Sequence, residues 1–185
     1  MTLAPRGWAA ELLHYWFETL AETDWFGGGG QLDQELSRRF SRELAMLAGQ
    51  PASRFLTDPQ TALAAVVLFD QIPRNIHRGT PQAFATDSLA RAITRGALRM
   101  GYDRRLPTAA QRQFLAMPLM HSEAIANQRL SLAVFCQLGV GQSFSFARQH
   151  HAMIARFGRF PHRNDVLGRV SSDAERRAVP AGFAW

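Results

Sequence analysis

Apolar residues recur at helical spacing along most of the chain. Leu32, Leu36, Phe40, Leu44 and Leu47 fall four and three apart, so they line one face of an amphipathic helix. The run Ala62 to Leu68 (ALAAVVL) is instead apolar on every side, which puts its helix at the centre with others wrapped around it. Start signals flank these runs. Thr57-Asp-Pro-Gln60, Thr108-Ala-Ala-Gln111 and Ser172-Asp-Ala-Glu175 each have the form of a capping box, in which a hydroxyl accepts from the amide three residues on. Pro59 falls in a first turn, where a missing N–H costs little, and Thr80-Pro81 offers a further N-cap with proline at N1. Together these signals place helices near 6–20, 32–49, 58–72, 81–100, 109–117, 120–138, 143–157 and 172–179. Period-two alternation is nowhere convincing, so no sheet is expected. Short links make successive helices antiparallel, giving an all-α fold of about eight helices stacked as hairpins. No fixed tetratricopeptide period of about 34 residues is present.

Composition narrows the class. A length of 185 residues suits one domain over 1–185, with an N-terminal helix and glycine-rich link at 1–31 and an appendage at 170–185. The run Gly27 to Gly30 reads as a flexible connector and lacks the lysine and hydroxyl residue of a phosphate loop. No apolar run approaches the roughly eighteen residues of a membrane span. Glu11, His14 and Glu18 interrupt the N-terminal stretch where a secretion signal is apolar. One cysteine, Cys136, excludes an internal disulfide framework and reads as a small buried hydrophobe. A cytoplasmic location fits these features.

Charge changes the picture less than its size suggests. All 21 basic residues are arginine, and the formal net charge is +6. The arginines are scattered, with doublets only at 38–39, 104–105 and 176–177, and acids lie among them. A nucleic-acid face shows a longer basic stripe with interleaved aromatics, so nucleic acid is not the expected partner.

Three polar stretches break the amphipathic pattern, and each contains a proline. In FDQIPRNIHRGT (69–80), Pro73 cannot donate to the carbonyl of Phe69, so the buried helix must kink or stop there. Asp70 and Arg74 lie four apart and pair if the turn persists; Gln71, Asn75 and Arg78 supply further polar groups. In MPLMHSE (117–123), His121 and Glu123 follow a second proline break, with Ser122 as a cap and Glu123 in the first turn of the next helix. FGRFPHRN (157–164) closes a helix whose inward face reads Phe146, His150, Met153, Ile154 and Phe157, and it contributes Arg159, His162, Arg163 and Asn164. Ile-Pro-Arg-Asn at 72–75 and Phe-Pro-His-Arg-Asn at 160–164 echo one another, each delivering an Arg-Asn pair beyond an apolar helix. The two corners either converge with Asp70, His121 and Glu123 around one pocket or staple kinked backbone, and both readings stay open.

FDQIPRNIHRGTPQAFATD (69–87), MPLMHSE (117–123) and RFGRFPHRNDVLGR (156–169), with Tyr15-Trp16-Phe17 and Trp25-Phe26, resemble an uncharacterised bacterial family, the domain of unknown function numbered 924. The likeness spans almost the whole chain. It implies an all-helical fold of the tetratricopeptide-like superhelix class, and it implies no activity.

The leading functional expectation is a helical binding module with an Arg/Asn/His-lined pocket for an anionic small molecule or a peptide carboxylate. Arg74, Arg78, Arg159 and Arg163 would meet the charge, while Asn75 and Asn164 would set orientation. The alternative is a metal-independent hydrolase of a phosphate or acyl ester, using His121, Glu123 and His162 with Arg74 and Arg163. No cofactor motif is present, and a metal site built from His121, Glu123 and His162 is not adopted. The aromatic tail Gly182-Phe-Ala-Trp185 either folds back or seals a homodimer.

Overall fold

The computed structural model describes residues 7–27 and 29–179. Among them no strand is present and the architecture is all-α. The helices are α1 (Gly7–His14), α2 (Asp24–Gly27), α3 (Gly30–Leu47), α4 (Pro59–Val66), α5 (Ile72–Ile76), α6 (Asp87–Arg99), α7 (Ala109–Met120), α8 (Ile125–Leu138), α9 (Gly141–Phe157) and α10 (Asp173–Ala178). No helix among the described residues is long and apolar enough to cross a membrane.

The apolar run dictates the centre. Every residue from Thr61 to Pro73 is buried, and α4 packs against α1, α6 and α7. From α6 onward neighbours in sequence are neighbours in space: α6 lies on α7, α7 on α8, and α8 on α9. The α3 face behaves as its spacing requires, with Leu36, Phe40 and Leu44 buried and Leu32 and Leu47 partly so. Phe114 is the hub of an aromatic cluster, holding Trp16, Phe17 and Trp25 edge-on and Phe26 stacked. Edge-to-face rings of this kind add stability beyond their buried area.

Two π turns solve two backbone problems. The central helix runs α4, then a π turn at Val67–Gln71, then α5. The amide of Ile72 bonds back five residues to the carbonyl of Val67. Pro73 therefore neither stops the helix nor breaks its burial. Its missing N–H leaves the carbonyl of Phe69 without a helical donor, and the Thr86 hydroxyl supplies one at 2.6 Å. The same device recurs after α1, where Tyr15–Thr19 forms a π turn and the carbonyl of Trp16 accepts from the indole of Trp25 at 2.7 Å.

Several boundaries differ from the sequence reading. The cap before α4 is Asp58, whose carboxylate accepts from the amide of Thr61 at 2.9 Å; Thr57 only donates to Asp58. Pro59 occupies the first helical position and keeps Asp58 extended, which makes Asp58 the cap. The stretch assigned to one helix over 81–100 is a 3-10 turn, Pro81–Phe84, followed by α6; Thr80 caps nothing and donates to the carbonyl of His77. Pro118 lies inside α7, so MPLMHSE breaks at His121 instead, and α8 starts at Ile125. Gly27 and Gly30 belong to α2 and α3 and are no loose connector, while Gly28 falls outside the described residues. Cys136 is exposed, because α8 turns Gln128, Ser131 and Phe135 inward. On α9 the buried face is Ser143, Ala147, His150 and Ile154, and Phe146 is exposed. Thr108 and the Ser172–Glu175 capping box form as expected. The helix start at residue 6 and the tail 182–185 lie outside the described residues.

Thr86→Val keeps shape and removes the donor to the buried Phe69 carbonyl. It is expected to cost about 1–3 kcal/mol in denaturant unfolding, and a neutral result would show that the π turn needs no such donor.

Candidate functional site

The site grows from the end of the central helix. Asp70 has no exposed surface, and an ionised carboxylate there needs donors on every side. It has three. Arg74, one turn on, approaches its Oδ1 at 3.2 Å; Gln71 donates at 2.5 Å; and Nδ1 of His121, at the C-terminal end of α7, lies 2.9 Å from both oxygens. Burial alone would raise this carboxyl, but the charge of Arg74, and then the His121 ring beside it, outweigh burial and hold it below the usual carboxylate range.

From Asp70 the charges alternate outward. Arg74 also grips Asp87 in the first turn of α6, at 2.9 and 3.1 Å. Asp87 in turn lies 3.8 Å from the guanidinium of Arg163. Arg163 is buried between two rings, 4.7 Å from the centroid of Phe84 and 4.5 Å from that of Phe160. Flat guanidinium groups stack well on aromatic faces. Yet its side chain makes no hydrogen bond among the described residues, and its Nε is buried without a partner. Burial, then the neighbouring charge of Arg74, pulls its pKa down to about 10, so it stays cationic at neutral pH.

A cleft of about 370 Å³ opens here between the start of α6, the turn joining α7 to α8, and the segment after α9. Arg163, His121 and Arg91 line it, with Ser88, Ser122 and Asn127 as neutral polar groups. Arg91 has no ion-pair or hydrogen-bond partner among the described residues. Both acids on the lining are occupied: Asp87 by Arg74, and Glu123 by Arg169 through a two-pronged contact at 2.8 and 2.9 Å.

The structure thus sorts the residues singled out from sequence. Asp70, Gln71, Arg74, His121 and Arg163 come together, and the two proline corners do meet, through Arg74 and Arg163 on Asp87. Their asparagines do not. Asn75 donates to the carbonyl of Gln71, and Asn164 is fully buried and donates to Ser171. Arg78 reaches Asp33 of α3 at 3.2 Å, and Arg159 holds Glu175 of α10 at 2.6 and 2.9 Å, so both staple helices away from the cleft. Glu123 lines the cleft but precedes α8, where it accepts the amide of Phe160 at 2.8 Å. His162 lies against Phe160, its Nε2 buried and without a partner, and off the cleft lining. Among the described residues no trio of His, Cys, Asp or Glu is grouped as a metal ion requires. Sequence reasoning missed Asp87, Phe84, Arg91 and Arg169. Placing Asp87 in mid-helix hid it, whereas a start at Asp87 turns its carboxylate toward Arg74.

Comparison with known proteins gives the family and the fold. The model of the family described as "Bacterial protein of unknown function (DUF924)" matches residues 12–182. The chain belongs to this family. A solved structure, that of the protein of unknown function ATU0120 from Agrobacterium tumefaciens, is 33% identical to this DUF924 chain. The alignment covers 94% of this chain and 97% of that one, with a TM-score of 0.87. No curated protein matches.

Two further histidines of this DUF924 protein carry a pH signature. Burial, then the neighbouring His121, lowers His150 to about 3; burial, then Arg163, lowers His162 to about 4. Both folded values lie below the ordinary 6.5, so unfolding takes up protons in between. Stability present above about pH 6.5 is therefore expected to fall as pH drops toward about 4. Denaturant titrations across this range should show a shallower decline in His162→Gln; an unchanged slope would remove His162 from the account.

Proposed function

We propose that this DUF924 protein is a helical binding module, a tetratricopeptide-like stack of hairpins, whose cleft takes a small carboxylate or phosphate. The observation that carries the reading is Arg163: a cation stacked between two rings beside a cleft, with its hydrogen-bonding capacity unspent. Burying a charge without direct hydrogen bonds is costly, and an anion in the cleft would relieve that cost. Arg91 supports the same reading, as a second cation on the lining without a partner among the described residues. The cleft volume lies near the lower end of the range typical for small-molecule sites. A peptide's terminal carboxylate presents the same chemistry to the same arginines.

Arg74 is assigned a different role. Its guanidinium is held between Asp70 and Asp87, so it orders the wall and leaves ligand contact to Arg163 and Arg91. Asn75, Arg78, Arg159 and Asn164 hold helix ends.

The test separates a site from a staple. Arg163→Met preserves the stem between Phe84 and Phe160 and removes the charge. If Arg163 serves a ligand, binding of adipate, succinate or inorganic phosphate by calorimetry falls about tenfold or more. Folding stability then changes by less than about 1 kcal/mol, because Asp87, 3.8 Å away, keeps Arg74 at 2.9 and 3.1 Å. A loss of about 3–5 kcal/mol with binding unchanged would assign it to the scaffold. Arg91→Gln should weaken the same ligands several-fold without touching stability.

A further inference from the structure

The Asp70–His121 pair has a polarity that anion binding alone does not use. Asp70 is fully buried and meets His121 at Nδ1, with both oxygens at 2.9 Å. Gln71 and Arg74 fix the carboxylate from the other side, so it cannot swing away. A carboxylate accepting at Nδ1 sets that nitrogen as the N–H and leaves Nε2 with a lone pair. Nε2 has no hydrogen-bond partner among the described residues, and the ring lines the cleft beside Arg163. His150 also lies near the ring, 6.2 Å between centroids, and its Nδ1 faces the carbonyl of Phe146. An oriented acceptor, a buried carboxylate behind it and an anion anchor beside it are the parts of a general-base site.

We propose that the cleft hydrolyses small esters that carry a carboxylate, with His121 as the general base and Asp70 as its positioning residue. The proposal rests on Arg163 holding an anion, as above. No Ser or Thr hydroxyl hydrogen-bonds His121 among the described residues, so the nucleophile is water. Nε2 of His121 takes a proton from water as the water oxygen bonds to the ester carbonyl carbon. The bond from that carbon to the alkoxy oxygen then breaks, and His121 returns the proton to the departing alkoxide. Ester and water give carboxylic acid and alcohol, with no oxidant, reductant or co-reactant consumed. Arg163 anchors the remote carboxylate. Arg91 and the Ser122 hydroxyl, whose oxygen already accepts from Ala124 and Asn127, join the Ser88 hydroxyl as donors on the lining for the developing oxyanion.

The experiment uses the full chain with mono(4-nitrophenyl) adipate and its uncharged counterpart 4-nitrophenyl hexanoate. The charged ester should be preferred in kcat/KM by about tenfold, and Arg163→Met should erase that preference. His121→Gln should lower kcat by about a hundredfold or more with little change in KM. Asp70→Asn should do the same by presenting the wrong ring tautomer, a kcat effect that a purely structural loss would not confine to folded protein. Since Asp70 is buried and its variant can fail to fold, His121→Gln on the cleft lining carries the decision. Wild-type turnover no faster than that of His121→Gln overturns the proposal, while calorimetric binding of adipate still reports separately on the anion site. Equal turnover of both esters, lost in His121→Gln, upholds the base and overturns the carboxylate preference.

Discussion

A carboxylate with no exposed surface constrains everything around it. Asp70 sits where the most apolar helix of the chain ends, and its charge survives there only because Arg74, Gln71 and His121 converge on it. Those three groups come from the next turn, the adjacent residue and the far end of another helix. Satisfying Asp70 therefore sets how α5 continues from α4 and where α7 stops. The π turn belongs to the same solution, since it carries the chain past Pro73 while keeping Asp70 and Arg74 within reach of one another.

Outward from Asp70, acid and base alternate through Arg74 and Asp87 to Arg163, and the quality of the pairing declines along the way. Contacts near 3 Å give way to one of 3.8 Å, and the last guanidinium rests on aromatic faces. A polar network can thus be saturated at one end and open at the other. The inner members are saturated and hold helices together. The outer member and His121 border open space and keep capacity for something else. Glu123 shows why residue type alone misleads: a carboxylate on the cleft lining is already consumed by Arg169 and the Phe160 amide.

What was legible in the sequence followed local rules. Apolar spacing located α3 and its buried face, and the unbroken run at 62–68 announced the central helix. Thr108 and the Ser172–Glu175 box formed as read, the latter even with Asp173 beside Ser172, because Glu175 closes the box from the other side. Thr57 lost the cap to Asp58 because Pro59 takes the first helical position and holds the residue before it extended. The helix expected over 81–100 is shorter, with Thr86 donating to the Phe69 carbonyl across the fold. Pro73 and Pro118 both sit within helical backbone here, and at Pro73 the π turn and the Thr86 hydroxyl absorb the missing N–H.

By itself the sequence determined that this chain is helical, which run lies at its centre, and that polar residues gather at proline corners. Those features depend on spacing and on groups within a few residues. Only the tertiary structure decided that Asp70 takes His121 from 51 positions away, that the two arginine corners meet on Asp87, and that Arg78 and Arg159 are diverted to α3 and α10. The physical reason is that a buried charge selects whichever partner the packing delivers, and packing is a property of the whole chain.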